Sequence, residues 1–378
     1  MGLPLCPTKI RQYNADVSKI LTALRSGVEA RWLRGALPFQ RLLRLAAFGY
    51  GGILSVRNWL YLHGWFDRRR LPTIVVGVGN LTLGGTGKTV LVAHLARWLR
   101  DRGYRVGIVS RGYRRRGGGV RIVSEGRGPL VTMDEAGDEP YLLAKLLPGV
   151  PVVVGADRYE AGRLAIERFQ CQYLLLDDAF QNFSLAKDVE IVLMNARDPW
   201  GTGALFPAGV LREPLSALRR ADWIILTRAD AGEANGLTDV IRRYNPHAPI
   251  LRASYAPSEL LVWGESEALP VERIVGRRCL AFAAIADPAS FEAVAHSSGA
   301  ILLAFRSFPD HHSYTAEDLD TLEARARILG AEALLTTEKD AVRLPPGHRL
   351  SLPLWMLRIR LEILEGDAAW ADLLRQVA

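Results

Sequence analysis

The sequence predicts an α/β protein with a parallel sheet flanked by helices, a second, smaller α/β unit and an N-terminal helical arm. A chain of 378 residues, 49% apolar and 23% charged, is long enough for two well-packed domains. Apolar runs typical of buried parallel strands alternate with helical patterns, first in the middle of the chain and again in its last third. These runs lie near Ile74, Val106, Val152, Leu174, Ile191, Ile224, Leu280, Leu302 and Leu334. We predict an arm at 1–70, a sheet domain at 71–230 and a smaller domain at 231–378.

Composition narrows the class of protein. The formal charge of +8 favours anionic partners, which include nucleic acid, phosphorylated substrates and anionic membrane surfaces. The cysteines Cys6, Cys171 and Cys279 are far apart in the sequence, so neither a disulfide framework nor a zinc cluster is indicated. No secretory signal is recognisable in the opening residues. We therefore expect a protein of the reducing cytosol.

The N-terminal arm combines arginines with apolar and aromatic residues. The apolar stretch within 41–60 is interrupted by Arg44 and Arg57, so it is shorter than the ~18 residues of a membrane-spanning helix. Arginines at 31, 34, 41 and 44 recur beside apolar residues, as in an amphipathic helix that lies in a lipid interface. An ordinary helix packed on the core, with solvated arginines, explains the same pattern.

A phosphate-binding loop follows the first predicted strand. The segment GNLTLGGTGKT joins a buried strand to a helix, so its glycine amides can surround phosphate oxygens. The lysine can reach the β- and γ-phosphates, and the threonine hydroxyl can bind Mg²⁺. Thr82 stands where the formal pattern has its first glycine. The predicted nucleotide-contacting residues are Leu83, Gly84, Gly85, Thr86, Gly87, Lys88 and Thr89.

Two carboxylates at the end of another apolar run, YLLLDD, complete a predicted magnesium site. Asp177 and Asp178 follow a buried parallel strand, where carboxylates beside a phosphate-binding loop hold Mg²⁺ together with Thr89. The sequence thus predicts a P-loop NTPase-type sheet. The nucleotide is expected to be ATP, although TRAD at 227–230 resembles the guanine-reading motif of GTPases.

Three further segments supply candidates for acid–base and charge-stabilising roles. Asp138 and Glu139 lie at a predicted helix start, where helix capping would explain one of them. Histidines in FPDHHSY precede a helix, and Arg212 with Glu213 lies on a predicted loop, where a surface ion pair is the alternative. A basic loop, SRGYRRRGGG, could bind a phosphorylated acceptor or could be solvated. Asp138 and His311 are the candidates for taking the proton of an acceptor hydroxyl.

Together these motifs resemble the tetraacyldisaccharide 4′-kinase family. The resemblance rests on GNLTLGGTGKT, SRGY, AGDEPYLLAKLL, DRY, LLLDDAFQ, LFPAGVLREPL, FPDHHSY and LLTTEKDAVRL, which follow the family's order from about residue 79 to 344. It implies an ATP- and Mg²⁺-dependent kinase that phosphorylates the 4′-hydroxyl of tetraacyldisaccharide 1-phosphate, the lipid A precursor, to give lipid IVA. The implied partners are this lipid and a membrane surface, without nucleic acid.

The resemblance also assigns roles and a location. Asp138 matches the family's general base and His311 its partner, while Arg212 lies near the transferring phosphate and Lys88 keeps its P-loop role. The implied location is the cytoplasmic face of the inner membrane, reached through the N-terminal helix. Departures from the family pattern occur at Val90, Ala179 and Asn182. A regulatory P-loop GTPase or ATPase, or a non-enzymatic membrane-surface adaptor, are the competing hypotheses.

Overall fold

The computed structural model contains a single sheet of thirteen strands among the described residues. The structure describes residues 37–229, 235–265, 268–364 and 367–377. The strands are β1 Ile74–Asn80, β2 Val106–Ser110, β3 Arg121–Glu125, β4 Pro151–Val154, β5 Tyr173–Asp177, β6 Val189–Asn195, β7 Trp223–Thr227, β8 Ile250–Val262, β9 Ala268–Pro270, β10 Arg278–Ala283, β11 Ile301–Ser307, β12 Ala333–Thr337 and β13 Leu354–Ile363. Their order is β11-β10-β12-β13-β8-β7-β6-β1-β5-β2-β4-β3, with β9 paired to β8.

The described residues also form helices, several of which pack against this sheet. They are α1 Leu37–Leu62, α2 Lys88–Asp101, α3 Met133–Ala136, α4 Asp138–Leu146, α5 Arg158–Phe169, α6 Asn235–Tyr244, α7 Pro288–Ser297, α8 Ala316–Leu329, α9 Glu338–Ala341 and α10 Asp367–Val377. In α2, Leu91, Leu95 and Leu99 recur every fourth residue and are fully buried, as expected of a helix that covers a sheet. The prediction of a mixed α/β protein with a large, mostly parallel sheet is confirmed.

The central strands bring the candidate site together. β1 lies between β5 and β6 in parallel register, with Val78 opposite both Asp177 and Ile191. Since parallel strands end at the same edge, the loop after β1 and the carboxylates after β5 lie next to each other. The buried strands also explain why the apolar runs were recognisable in the sequence.

A long antiparallel pair, β8 and β13, joins the two parts of the sheet. β8 pairs in parallel with β7, and β13 pairs in parallel with β12, so the sheet continues without interruption among the described strands. The sequence missed β8, which contains Pro257, a residue without an amide hydrogen. Pro257 lies opposite Ile359, next to a register shift in this pair. The predicted domain boundary at 230/231 stays a prediction.

The C-terminal helix α10 returns to the first part of the sheet. Leu373, Leu374 and Val377 of α10 are buried in the core that also holds α2 and the strands β1, β2 and β5. The ring of Trp370 contacts His94 of α2, with ring centroids 5.3 Å apart. The last helix therefore stabilises the nucleotide-binding half.

The N-terminal arm is described from residue 37 onward, so the predictions for Cys6, Arg31 and Arg34 lie outside the described residues. Within α1 the side chains of Ala47 and Leu54 are buried, while many apolar side chains on other faces are exposed. Among the described residues, no helix has both the length and the apolar character needed to cross a bilayer.

Candidate active site

The glycine-rich loop after β1 has a backbone shape that its glycines make accessible. Gly84 and Gly87 have φ angles of 115° and 81°, which disfavour residues with a side chain. At Gly87 an added Cβ would lie 1.5 Å from the hydroxyl oxygen of Tyr255. That hydroxyl donates a hydrogen bond of 2.9 Å to the carbonyl oxygen of Thr86. The loop is thus held in shape by a tyrosine from β8 and leads directly into the N-terminus of α2, where anions bind favourably.

Two basic side chains, those of Arg212 and Lys88, contact the carboxylate of Asp178. The Nη1 atom of Arg212 donates to both carboxylate oxygens of Asp178 at 2.9 Å, and Lys88 Nζ lies 3.4 Å from Oδ1. Burial acts to raise the pKa of Asp178, but the charges of Arg212 and Lys88 outweigh it and hold the pKa well below its usual range. Asp178 is therefore ionised, and it orients the P-loop lysine and the predicted phosphate-stabilising arginine.

Asp177, one residue earlier, has the opposite surroundings. It is fully buried, and neither carboxylate oxygen has a hydrogen-bond partner. Burial, followed by the nearby charges of Glu139 and Asp178, raises the pKa of Asp177 to about 7. The Thr86 hydroxyl and the side chain of Asn80 are also buried without partners.

These atoms fit a hydrated Mg²⁺, because buried polar atoms are normally paired and unpaired ones indicate a missing ion or water. Mg²⁺ prefers a few carboxylate ligands completed by water and phosphate oxygens. In the described part of the chain, no group of three or more His, Cys, Asp or Glu side chains forms a metal cage. Thr89, Asp177 and Asp178 are the residues that would hold the ion, directly or through water.

A carboxylate and a histidine from distant parts of the sequence meet beside this loop. Asp138 is the first residue of α4, and its Oδ2 lies 2.8 Å from Nδ1 of His311. His311 has a φ of 65°, and its amide donates to the carbonyl oxygen of Ala284 at 3.1 Å. The structure thus brings together the two residues that the sequence proposed as base and partner.

The charge state of Asp138 follows from its neighbours. Burial acts to raise the pKa of Asp138, but the hydrogen bond from His311 and the charge of Arg343 bring it below the ordinary value. An ionised carboxylate only accepts hydrogen bonds, so Nδ1 of His311 is the donor. This leaves a carboxylate that can accept a proton and a histidine that orients it.

The segment with Arg212 and Glu213 is not a surface ion pair, which corrects that alternative. Glu213 is fully buried and accepts hydrogen bonds of 3.0 and 3.1 Å from Arg220. The carbonyl oxygen of Arg212 accepts a bond of 3.1 Å from the hydroxyl of Tyr50 in α1. The arginine is therefore fixed both by Asp178 and by the N-terminal helix.

Other sequence candidates have different partners around this centre, and Arg228 also donates to the carbonyl oxygen of Gly85 in the glycine-rich loop at 3.5 Å. His312 points to Asp318, 3.0 Å away, and not to Asp138. Arg228 of TRAD pairs with Asp287 at 2.6 Å, whereas Asp230 lies outside the described residues. In the basic loop, Arg116 is exposed and pairs with Asp134.

The departures from the family pattern have local structural roles. Ala179 is buried and donates its amide to the carbonyl oxygen of Val78 at 3.0 Å. Asn182 accepts a hydrogen bond from the amide of Leu185 at 3.2 Å, which closes the turn after β5.

Sequence reasoning missed several residues around the site. Tyr255 gave no signal because it lies within an unrecognised strand, and Asn80 looked like an ordinary strand end. Lys339 and Arg343 stand in TTEKDAVRL, a motif that the sequence identified without giving it a role.

The fold and site define a P-loop kinase, since a nucleotide switch has no need of a second, histidine-held carboxylate beside the phosphate loop. The chain belongs to the tetraacyldisaccharide 4′-kinase family, because the family model described as tetraacyldisaccharide-1-P 4′-kinase matches residues 39–378. The predictions of this family and of a phosphotransferase are confirmed.

Proteins of similar sequence and structure support this family assignment over most of the chain. The tetraacyldisaccharide 4′-kinase of Syntrophus aciditrophicus is 41% identical over 339 residues, covering 86% of this chain and 90% of that protein. That of Pelobacter propionicus is 40% identical over 365 residues, covering 94% and 96%. The crystal structure of an "apo" form of LpxK from Aquifex aeolicus in complex with ATP matches with a TM-score of 0.72 and 34% identity, covering 90% of this chain and 100% of that one.

Proposed function

We propose that this protein transfers the γ-phosphoryl group of ATP to the 4′-hydroxyl of a tetraacyldisaccharide 1-phosphate, giving lipid IVA and ADP. The observation that carries the proposal is the 2.8 Å contact between Asp138 and His311 beside the P-loop. Family membership supplies the substrate class, because the relatives are named for this acceptor. The cofactors are ATP and Mg²⁺.

Each residue has a separate task in this reaction. Asp138 accepts the proton of the 4′-hydroxyl while that oxygen forms the new bond to the γ-phosphorus and the bond to the β,γ-bridging oxygen breaks. His311 orients Asp138, and Lys88 binds the β- and γ-phosphates. Arg212, fixed 2.9 Å from Asp178, stabilises charge on the transferring group. Mg²⁺, when bound, neutralises phosphate charge.

The test is transfer of label from γ-labelled ATP to tetraacyldisaccharide 1-phosphate in detergent. Native protein is expected to label the lipid, and Asp138→Asn to lose about 10³-fold in kcat because the base is gone. His312→Asn is the matched control, since its side chain faces Asp318. ATP hydrolysis by the native protein without any labelled lipid would contradict the proposed acceptor.

We further propose that α1 attaches the protein peripherally to the cytoplasmic face of the inner membrane. Leu45, Phe48 and Leu62 are 69%, 83% and 79% exposed, which is unusual for large apolar side chains on one helix. Arg41 and Arg44 are also exposed and can meet anionic headgroups. A lipid substrate with four acyl chains is held in a bilayer, so such a helix would bring the site to it.

Sedimentation with vesicles that contain phosphatidylglycerol tests the membrane proposal. Phe48→Ser is expected to weaken binding by about tenfold, because it removes a large apolar side chain from the lipid-facing surface. Ile328→Ser is the control, since Ile328 of α8 is 79% exposed but lies in the other half of the protein. Equal loss of binding in the two variants would contradict a specific role of α1.

A further inference from the structure

The short helix α9, which follows β12 in the C-terminal part of the sheet, lies against the adjacent carboxylates Asp138 and Glu139 at the start of α4. Lys339 Nζ is 3.1 Å from Oε1 of Glu139, and Arg343 Nε is 3.6 Å from Oδ2 of Asp138. Lys339 and Glu139 are separated by 200 residues in the sequence. Each of the two adjacent carboxylates thus faces its own cation, and both cations come from a distant part of the sequence.

Arg343 is fixed more firmly than a surface arginine. Its side chain is 1% exposed, and its Nη1 and Nη2 donate to the carbonyl oxygen of Ala284 and to Asp340, each at 3.1 Å. The same carbonyl oxygen of Ala284 accepts the amide of His311 at 3.1 Å. One backbone group therefore sets the positions of both residues that contact Asp138.

We propose that Arg343 and Lys339 are positioning residues for phosphoryl transfer: Arg343 holds the catalytic carboxylate of Asp138 together with His311, and Lys339 fixes Glu139 and so the start of α4. This inference rests on the proposed function, because it assumes that Asp138 is the base. It assigns a role to the TTEKDAVRL motif.

The geometry on Asp138 supports this division. His311 and Arg343 both contact Oδ2, so Oδ1 is the oxygen that can face the acceptor hydroxyl. A carboxylate restrained on one oxygen keeps the other in place for proton transfer, and small displacements of reacting groups cost much of the rate. A guanidinium group presents a planar set of donors that suits a carboxylate, which a lysine ammonium does not reproduce.

The charges around Asp138 set the expected pH dependence. The Asp138 carboxylate faces the cations Arg343 and Lys339 and the imidazole of His311. Glu139 and Asp310 add negative charge nearby. Loss of the Arg343 charge raises the pKa of Asp138, so the acid limb of the pH–rate profile moves to higher pH. A lysine at the same position keeps the charge and loses the fixed geometry.

The experiment measures kcat and KM for ATP from pH 5 to 9 in the native protein and in the variants Arg343→Lys, Arg343→Gln and Lys339→Gln. Arg343→Lys and Lys339→Gln are expected to lower kcat about tenfold with little change in KM, and Arg343→Gln about 10²-fold. Arg343→Gln is expected to move the acid limb upward most, and Lys339→Gln to move it upward by less, because the charges of both cations lower the pKa of Asp138. Arg277→Gln is the control, because it breaks a 3.1 Å ion pair with Glu332. This pair lies at the amino ends of β10 and β12, whereas Lys339 and Arg343 follow the carboxyl end of β12.

Native kcat in Arg343→Lys and Lys339→Gln, and an unmoved acid limb in Arg343→Gln, all measured on folded protein, would overturn the inference. Should Arg343→Gln fail to fold, these two milder variants still decide it through kcat. The proposed function fails separately: the native protein would then hydrolyse ATP without labelling the lipid. An inactive Asp138→Asn beside fully active Arg343→Lys and Lys339→Gln would leave the function standing and remove only the positioning role.

Discussion

Two fully buried carboxylates, one in each half of the sheet, have opposite surroundings. Asp177 after β5 has no hydrogen-bond partner on either oxygen. Asp340 in α9 accepts from the Ala284 amide at 3.0 Å, the Tyr314 hydroxyl at 3.1 Å and Arg343 at 3.1 Å. Burial raises the pKa of both groups. The nucleotide half therefore holds a carboxylate without hydrogen bonds from the protein, and the second half holds one that supports the structure.

This difference indicates that the two halves of the sheet have different roles, one in binding a cation and one in fixing the loops. A buried unpaired carboxylate costs free energy, which a protein tolerates where binding a cation recovers it. A buried carboxylate with several donors fixes the loops around it, here the backbone at Ala284 that carries His311 and Arg343. Substitution of the two residues should accordingly damage different properties.

The largest effect is expected for Asp177→Asn. Loss of a proposed metal ligand should lower kcat about 10³-fold, or about 4 kcal/mol, while the urea midpoint stays unchanged or rises. The neutral amide resembles a carboxyl group whose pKa is already raised to about 7. Steady-state kinetics and urea unfolding measure both properties. Asp178→Asn is the contrast, because it breaks the contacts with Lys88 and Arg212 and should lower activity and stability together.

Asp340→Asn should lower the stability of the folded protein, which Asp177→Asn is expected to leave unchanged or to raise. Arg343 would remain buried without an ionic partner, so the free energy of unfolding should fall by about 3 kcal/mol. Asp320→Asn removes a 66% exposed carboxylate that pairs with His348, and should cost less than about 0.5 kcal/mol. If Asp340→Asn were as stable as native protein and merely inactive, the contrast between the two halves would be lost.

A smaller effect is expected for Tyr255→Phe, which tests how the strand β8 supports the P-loop. Without the hydroxyl, the carbonyl oxygen of Thr86 loses its 2.9 Å hydrogen bond, which should cost about 1 kcal/mol of stability. A less fixed loop should also raise KM for ATP several-fold. Tyr244→Phe, at the exposed end of α6, serves as the control. An unchanged KM would show that the loop keeps its shape without Tyr255.

The smallest effect concerns the acid stability contributed by Asp138. Because its folded-state pKa lies below the ordinary value of 3.8, its ionised form stabilises the folded protein above that pH. The contribution is lost as the pH falls through the folded-state pKa. The stability difference between native protein and Asp138→Asn should therefore shrink below about pH 4 in urea titrations. A difference that grows with acidity would contradict the lowered pKa.

The sequence predicted local features well. Buried parallel strands are short apolar runs, so β1, β2, β4, β5, β6 and β7 were recognisable, and so were the glycine-rich loop and the carboxylates after β5. Thr315 and Asp318, three residues apart, form a capping box at the start of α8, which is a local feature of the same kind. Such features depend on residues within a few positions of each other.

The strand β8 and the edge strand β3 escaped recognition for a physical reason. β8 mixes polar residues with Pro257, and its pairing is fixed by β7 and β13, far away in the sequence. The strand propensity of such a segment is weak, and packing against its neighbours decides its conformation.

The sequence by itself determined the fold class, the P-loop, the carboxylate pair and the family. Tertiary structure alone decided that Asp177 is unpaired while Asp178 binds two cations, and that Tyr255 holds the loop. It also decided that α9 faces the start of α4. The physical reason is that burial and pairing set the charge state and orientation of a side chain, and both depend on residues that only the folded chain brings together.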